Sequence, residues 1–184
     1  NVENGSYVSK VGALEVTATG NIEGATFTAE TLNVDLAADG NIVGTTVQAQ
    51  GAADLAAGAD IVNSSIKGSA VALDAGGNIS NAAVEALTTA DLTADNDVSG
   101  SSVTAGGAVT ITATAGTIQG TTALGGSTMD LTAGAEIDGS DFTAAGDITV
   151  AATDLAASSF ISETGAINVG TELAPVSNII DSTI

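Results

Sequence analysis

Cysteine is absent from this 184-residue chain, which removes disulfide frameworks, thiolate metal sites and cysteine nucleophiles together. Histidine, arginine and tryptophan are missing as well, and Lys10 and Lys67 are the only basic side chains. Against 22 Asp and Glu they leave a net charge of −20. Neutralising phosphates takes Lys and Arg, so the balance points away from nucleic acid. An anionic membrane surface would repel such a chain, and no apolar run approaches the roughly 18 residues of a membrane-spanning helix. The absence of cysteine leaves the compartment open: it fits secretion, and a cytosolic protein can show it too.

Aromatic residues make up only 2% of the sequence, as three Phe and one Tyr, and proline occurs once, at Pro175. A globular core of this size would use several large aromatic fillers. The apolar content is nevertheless 44%, carried by Ala, Val, Ile and Leu, and the mean hydropathy of +0.38 argues against disorder. Abundant Val, Ile and Thr favour strands. The 23 Gly recur at intervals instead of clustering as a linker would.

Those intervals belong to a repeat. An aliphatic anchor recurs at Val2, Ile22, Ile42, Ile61, Ile79, Val98, Ile118, Ile137, Leu155 and Ile179, with spacings of 20, 20, 19, 18, 19, 20, 19, 18 and 24. Alignment on the anchor brings other columns into line. Immediately before it stand mostly Asn and Asp, from Asn1, Asn21 and Asn41 to Asp60, Asn78 and Asp97. Two residues after it come Asn4, Gly24, Gly44, Asn63, Asn81, Gly100, Gly120, Gly139, Ala157 and Asp181, mostly residues that tolerate the left-handed conformation of a tight corner. Five residues after it is a second apolar column, Tyr7, Phe27, Val47, Ile66, Val84, Val103, Ala123, Phe142, Phe160 and Ile184, which predicts aromatics stacked together inside. Between the two lie small hydroxyl pairs such as Thr45-Thr46, Ser64-Ser65 and Ser101-Ser102.

Further along each unit the pattern alternates strictly, as in Leu14-Glu15-Val16-Thr17-Ala18 and Ala90-Asp91-Leu92-Thr93-Ala94. Period two with one apolar side predicts a strand with one face buried. A unit of strand, corner, strand, loop and strand cannot enclose a core alone, but coils stacked about 4.8 Å apart can. The sequence therefore predicts an all-β fold: a single-stranded parallel β-helix, or β-solenoid, of about nine to ten coils of 18–20 residues, forming one domain over 1–184. Buried Asn is expected to form a hydrogen-bonded corner ladder. The 24-residue gap predicts a lengthened loop over 171–177. Helix in stretches such as 49–59 is opposed by Gly51, Gly58 and the alternation.

Segments such as Gly40-Asn41-Ile42-Val43-Gly44-Thr45-Thr46-Val47 and Gly106-Gly107-Ala108-Val109-Thr110-Ile111-Thr112-Ala113 resemble the repeats of filamentous haemagglutinin-type adhesins, which are exported by two-partner secretion. The likeness covers the whole chain. It implies a right-handed coil and an extracellular, cell-surface role as the structural or adhesive shaft of a bacterial adhesin or fibre. The N-terminal secretion domain of such adhesins and a C-terminal membrane barrel are not seen in this sequence, which opens at Asn1 as a mature form or an excised segment would. The anchor dipeptide at one terminus and Ile184 at the other offer no evident cap. The expectation is that the solenoid continues in a longer chain or that copies stack end to end as a self-assembling filament.

Catalysis is not expected. Polysaccharide lyases built on β-helices need a basic catalyst, and Lys10 and Lys67 fall in different coils. A two-carboxylate glycosidase pair is conceivable, but sugar-stacking aromatics are absent from outward positions. Calcium is the one cofactor worth weighing. Glu15, Asp35 and Asp54 occupy the same outward position in consecutive units, followed by Ala72 and Asp91, and calcium prefers oxygen ligands. The competing reading, which we favour, is a solvated acidic face that keeps an all-β rod soluble. The Gly-Gly-x-Gly-x-Asp nonapeptide of calcium-binding β-rolls is missing. Ice-binding and carbohydrate-binding solenoids are lesser alternatives, since Thr26/Thr28 and Thr110/Thr112 do not continue as Thr-x-Thr through neighbouring units and each adjacent Thr pair points to opposite faces.

Overall fold

A computed structural model describes residues 1–170, 177–180, 182 and 183, and among them every regular element is a strand. A typical coil contributes a two-residue strand at the anchor (Ile42–Val43), a four-residue strand (Thr46–Ala49) and a five-residue strand (Ala53–Ala57). Each pairs in parallel with its equivalents one coil away, giving three sheets of ten, nine and nine strands. Ile61 lies opposite Ile42 on one side and Ile79 on the other. The chain is thus a parallel β-solenoid of about nine turns, roughly 43 Å long at the usual strand spacing.

Parallel sheets are ordinarily covered on both faces. Here one face of each sheet is wet, and the strict alternation of the sequence follows from that. Ile22, Ile42, Ile61, Ile79, Ile118 and Ile137 are wholly buried on the first sheet. On the third sheet the central inward column runs Leu36, Leu55, Leu73, Leu92, Ile111 and Leu131, all buried. The next inward column is alanine in seven successive coils, from Ala18 to Ala133, where the wall closes towards a corner and only a small side chain fits.

The corners have the conformation that the sequence predicts. Asn4, Gly24, Gly44, Asn63, Asn81, Gly100, Gly120, Gly139 and Ala157 all have φ between 48° and 61°. Ala157 is the outlier chemically, because a Cβ in the left-handed region crowds its own carbonyl.

Two side-chain ladders hold the coils together beside the backbone bonds. The N–H groups of Asn21, Asn41 and Asp60 donate to the side-chain oxygens of Asn1, Asn21 and Asn41, each at 2.9 Å. The same ladder continues through Asn78, Asp97 and Thr117. Its members are half-buried or, at Asn1, exposed, so the expectation of buried Asn is corrected: the corner keeps the amides beside solvent. A Cβ on Gly40 would fall on the Asn21 side-chain oxygen, which accounts for the recurrent Gly-Asn dipeptide. The second ladder is the buried one. Thr45, Ser64, Ser101, Thr121, Ser140 and Ser158 point inward, and each hydroxyl donates to the carbonyl two residues back. Ser64 also accepts from the Thr45 N–H, Ser140 from Thr121 and Ser158 from Ser140. Among the described residues no buried side-chain polar atom lacks a partner.

The aromatics do not form one internal stack. Tyr7 stacks on Phe27 with centroids 5.0 Å apart, and Phe142 on Phe160 at 5.4 Å, with five coils of smaller side chains between the pairs' nearer members. Their column is shared, but Val47, Ile66, Val84, Val103 and Ala123 occupy the middle, and Tyr7 is 37% exposed. The expected loop over 171–177 lies, apart from Ser177, outside the described residues, as do Asp181 and Ile184.

Replacing Ala157 by Gly relieves the crowded corner and should stabilise the fold by about 1 kcal/mol, read as a higher urea midpoint at unchanged slope. An unchanged or lower midpoint would show that the alanine carries no strain.

Candidate functional site: an acidic trough on the third sheet

The outward positions of the third sheet form two columns. The first runs Glu15, Asp35, Asp54, Ala72, Asp91, Thr110, Asp130 and Thr149. The second runs Thr17, Ala37, Ala56, Asp74, Thr93, Thr112 and Thr132. Strand alternation turns all of them away from the core, and parallel pairing sets each directly beside its equivalent. Glu15, Asp35 and Asp54 are therefore adjacent, as their spacing predicts.

Ala37, Ala56 and Ala72 leave a shallow floor between the carboxylates of Asp35, Asp54, Asp74 and Asp91, and the resulting trough encloses about 460 Å³. Its floor removes water from the neighbouring acids. Burial pushes the Asp54 carboxyl above its ordinary value; the Asp35 charge and a hydrogen bond with Asp35 push in the same direction. Burial likewise raises Asp91, with the Asp74 charge adding to it. Two carboxyls that hydrogen-bond to each other need one proton between them.

Asp74 is the member that the sequence reading missed. It stands in the second column, where its coil neighbours are Ala56 and Thr93, so no run of acids marks it. The signal was available in the alternation Val71-Ala72-Leu73-Asp74-Ala75, which places Asp74 outward beside the position that Ala72 vacates.

Among the described residues no group of three or more His, Cys, Asp or Glu is arranged to hold a metal ion. The three aligned acids lie along a line, one per coil, and the closest electrostatic coupling is within pairs. Paired carboxyls also occur in hydrolases, but no aromatic side chain lines this trough as a sugar platform and no basic group enters it. Lys67 lies on the second sheet, 2.8 Å from Glu85 in the next coil, both largely exposed. Such a pair adds little stability.

The paired Thr-x-Thr pattern does not continue from coil to coil, as the sequence predicts. Thr112 by itself lies between Thr93 and Thr132 in the second column. Its partner column alternates Asp91, Thr110 and Asp130, so a paired Thr-x-Thr rank still does not form. Within the hydroxyl pairs, Thr45 is inward and Thr46 outward, as expected.

No protein-family model matches the chain, and no curated protein or solved structure does either.

Asp54 and Asp91 bind protons more tightly in the fold than at the unfolded value of 3.8. Their contribution favours the fold fully below that value and is lost as pH rises through the raised values. Asp54→Asn should therefore melt higher than the parent at about pH 7, with the difference shrinking towards about pH 4. A pH-independent difference would remove the proton-sharing account. In the same melts, calcium and sodium at equal ionic strength should shift the parent equally if the face is simply solvated; an excess shift in calcium would reveal bridging at Glu15, Asp35 and Asp54.

Proposed function

We propose that this solenoid is a rod segment of an extracellular structural or adhesive protein, built like the shafts of filamentous haemagglutinin-type adhesins and performing no catalysis. The observation that carries the reading is the unbroken register. One core runs through the described coils, with equivalent residues paired from Val2 opposite Ile22 to Leu155 opposite Ile179. Such a stack resists bending, since deforming it breaks backbone bonds in three sheets together. The surface supports the same reading, because a face of Asp, Glu, Thr and Ser keeps a long β-rod dispersed.

Fold alone does not give function, and the chemical groups of the surface add weight. With no His, Cys or Arg and two Lys, the chain holds few of the acids, bases and nucleophiles that catalysis recruits. Its net charge of −20 opposes association with nucleic acid or an anionic bilayer.

A second reading concerns extension. In the first coil the inward residues Val2, Leu14 and Val16 are only partly covered, whereas Ile22, Val34 and Leu36 one coil further in are buried. A further coil of the same kind would cover them. It could come from continuing polypeptide or from a second copy stacked end to end.

Antibodies raised against the chain should label intact cells of its source, and cells lacking it should lose adhesion or surface fibres. Labelling that appears only after permeabilisation would overturn the extracellular reading. Electron micrographs of the purified chain should show rods whose length grows with concentration if copies stack; a fixed length of roughly 43 Å would leave continuation within one polypeptide as the means of extension.

A further inference from the structure

Three Asn-x-Ser triplets occur in the chain: Asn4-Gly5-Ser6, Asn63-Ser64-Ser65 and Asn78-Ile79-Ser80. The triplet is the acceptor signal for sugar attachment to an asparagine amide, and it works only where the amide nitrogen is accessible on the surface. The fold treats the three differently.

Asn63 and Asn4 stand in the corner column, with φ of 51° and 48°, and both are exposed. Neither side chain makes a hydrogen bond among the described residues, and the hydroxyl-bearing Ser65 and Ser6 that follow are exposed too. Asn78 belongs to the half-buried ladder. Its side-chain nitrogen donates to Asp60 at 3.0 Å and its side-chain oxygen accepts from the Asp97 N–H at 3.1 Å. Sugar on that nitrogen would force the ladder apart.

We propose that Asn63 and Asn4 are acceptor sites for N-linked sugar and that Asn78, despite carrying the same triplet, is closed to it by the corner ladder. The co-substrate is a diphosphate-activated sugar such as a sugar nucleotide, presented by a glycosyltransferase. The side-chain nitrogen bonds to the anomeric carbon and loses one proton; the bond from that carbon to the phosphate oxygen breaks, and the nucleoside diphosphate leaves with the electron pair. Both sites lie on one corner of the solenoid, three coils or about 14 Å apart, so two sugars project from the same edge without meeting. This edge is distinct from the acidic trough, leaving the third sheet bare.

The test uses the folded full chain, a soluble asparagine N-glycosyltransferase and UDP-glucose, read by intact and peptide mass. One hexose is expected on the Asn4 peptide and one on the Asn63 peptide, with Asn78 unmodified until the chain is unfolded in urea compatible with the enzyme. Asn63→Gln should lose one hexose and keep the other. Ser65→Ala should do the same without touching the corner residue, which guards against a folding defect in the first variant. Bare Asn63 in the folded chain, or Asn78 modified as fully as Asn63, overturns the proposal. It leans on the surface reading only for where modification takes place: a chain confined to the cell interior that still accepts hexose at Asn63 sinks that reading and leaves this one standing.

Discussion

Every strand in this protein hydrogen-bonds to its own equivalent one coil away, and the rest of the structure follows from that constraint. Parallel in-register pairing sets each side chain on top of its counterpart. For Ile on Ile or Leu on Leu the arrangement builds a continuous dry core. For Asn it lets one amide oxygen accept the next coil's N–H, so a half-buried polar corner is tied from coil to coil. For Asp on Asp the same geometry is unfavourable, because like charges are held at strand spacing. The outward face interleaves Ala72, Thr110 and Thr149 among the acids, and burial and Asp35 together raise the Asp54 carboxyl above its ordinary value.

The same constraint explains why so much of the fold was legible in the residues. A column of identical environments selects similar side chains, so Ile22, Ile42, Ile61 and Ile79 announce a wall and Gly24, Gly44 and Asn63 a corner. The strand Ala90–Ala94 could be read from alternation alone because one of its faces is wet. Legibility fails where a position is singular. Asp74 is the lone acid in its column, and only the register places it beside Asp91. The aromatics share one column in the sequence, yet the five residues from Val47 to Ala123 lie between them, so they stack as two separate pairs. The hydroxyl pairs were visible as pairs, but which member closes the buried ladder is a matter of chain direction at the corner: Ser64 faces in and Ser65 out.

Stability in such a molecule is distributed. Each coil contacts only its neighbours, so the fold resembles a one-dimensional array more than a globule with a centre. The alanine column, the hydroxyl ladder and the amide ladder each contribute a small amount per coil, repeated along the axis. This suits a mechanical element, in which no single residue need be decisive, and it leaves the outward faces free to vary in charge, hydroxyl content and modification while the stack stays the same.

The two ladders run in opposite senses. In the amide ladder a side chain accepts the N–H of the following coil; in the hydroxyl ladder it accepts the N–H of the preceding one. The solenoid consequently has a polarity as definite as that of an arrow, and its two terminal surfaces are chemically unlike. A coil that is to extend both ladders must therefore be added head to tail.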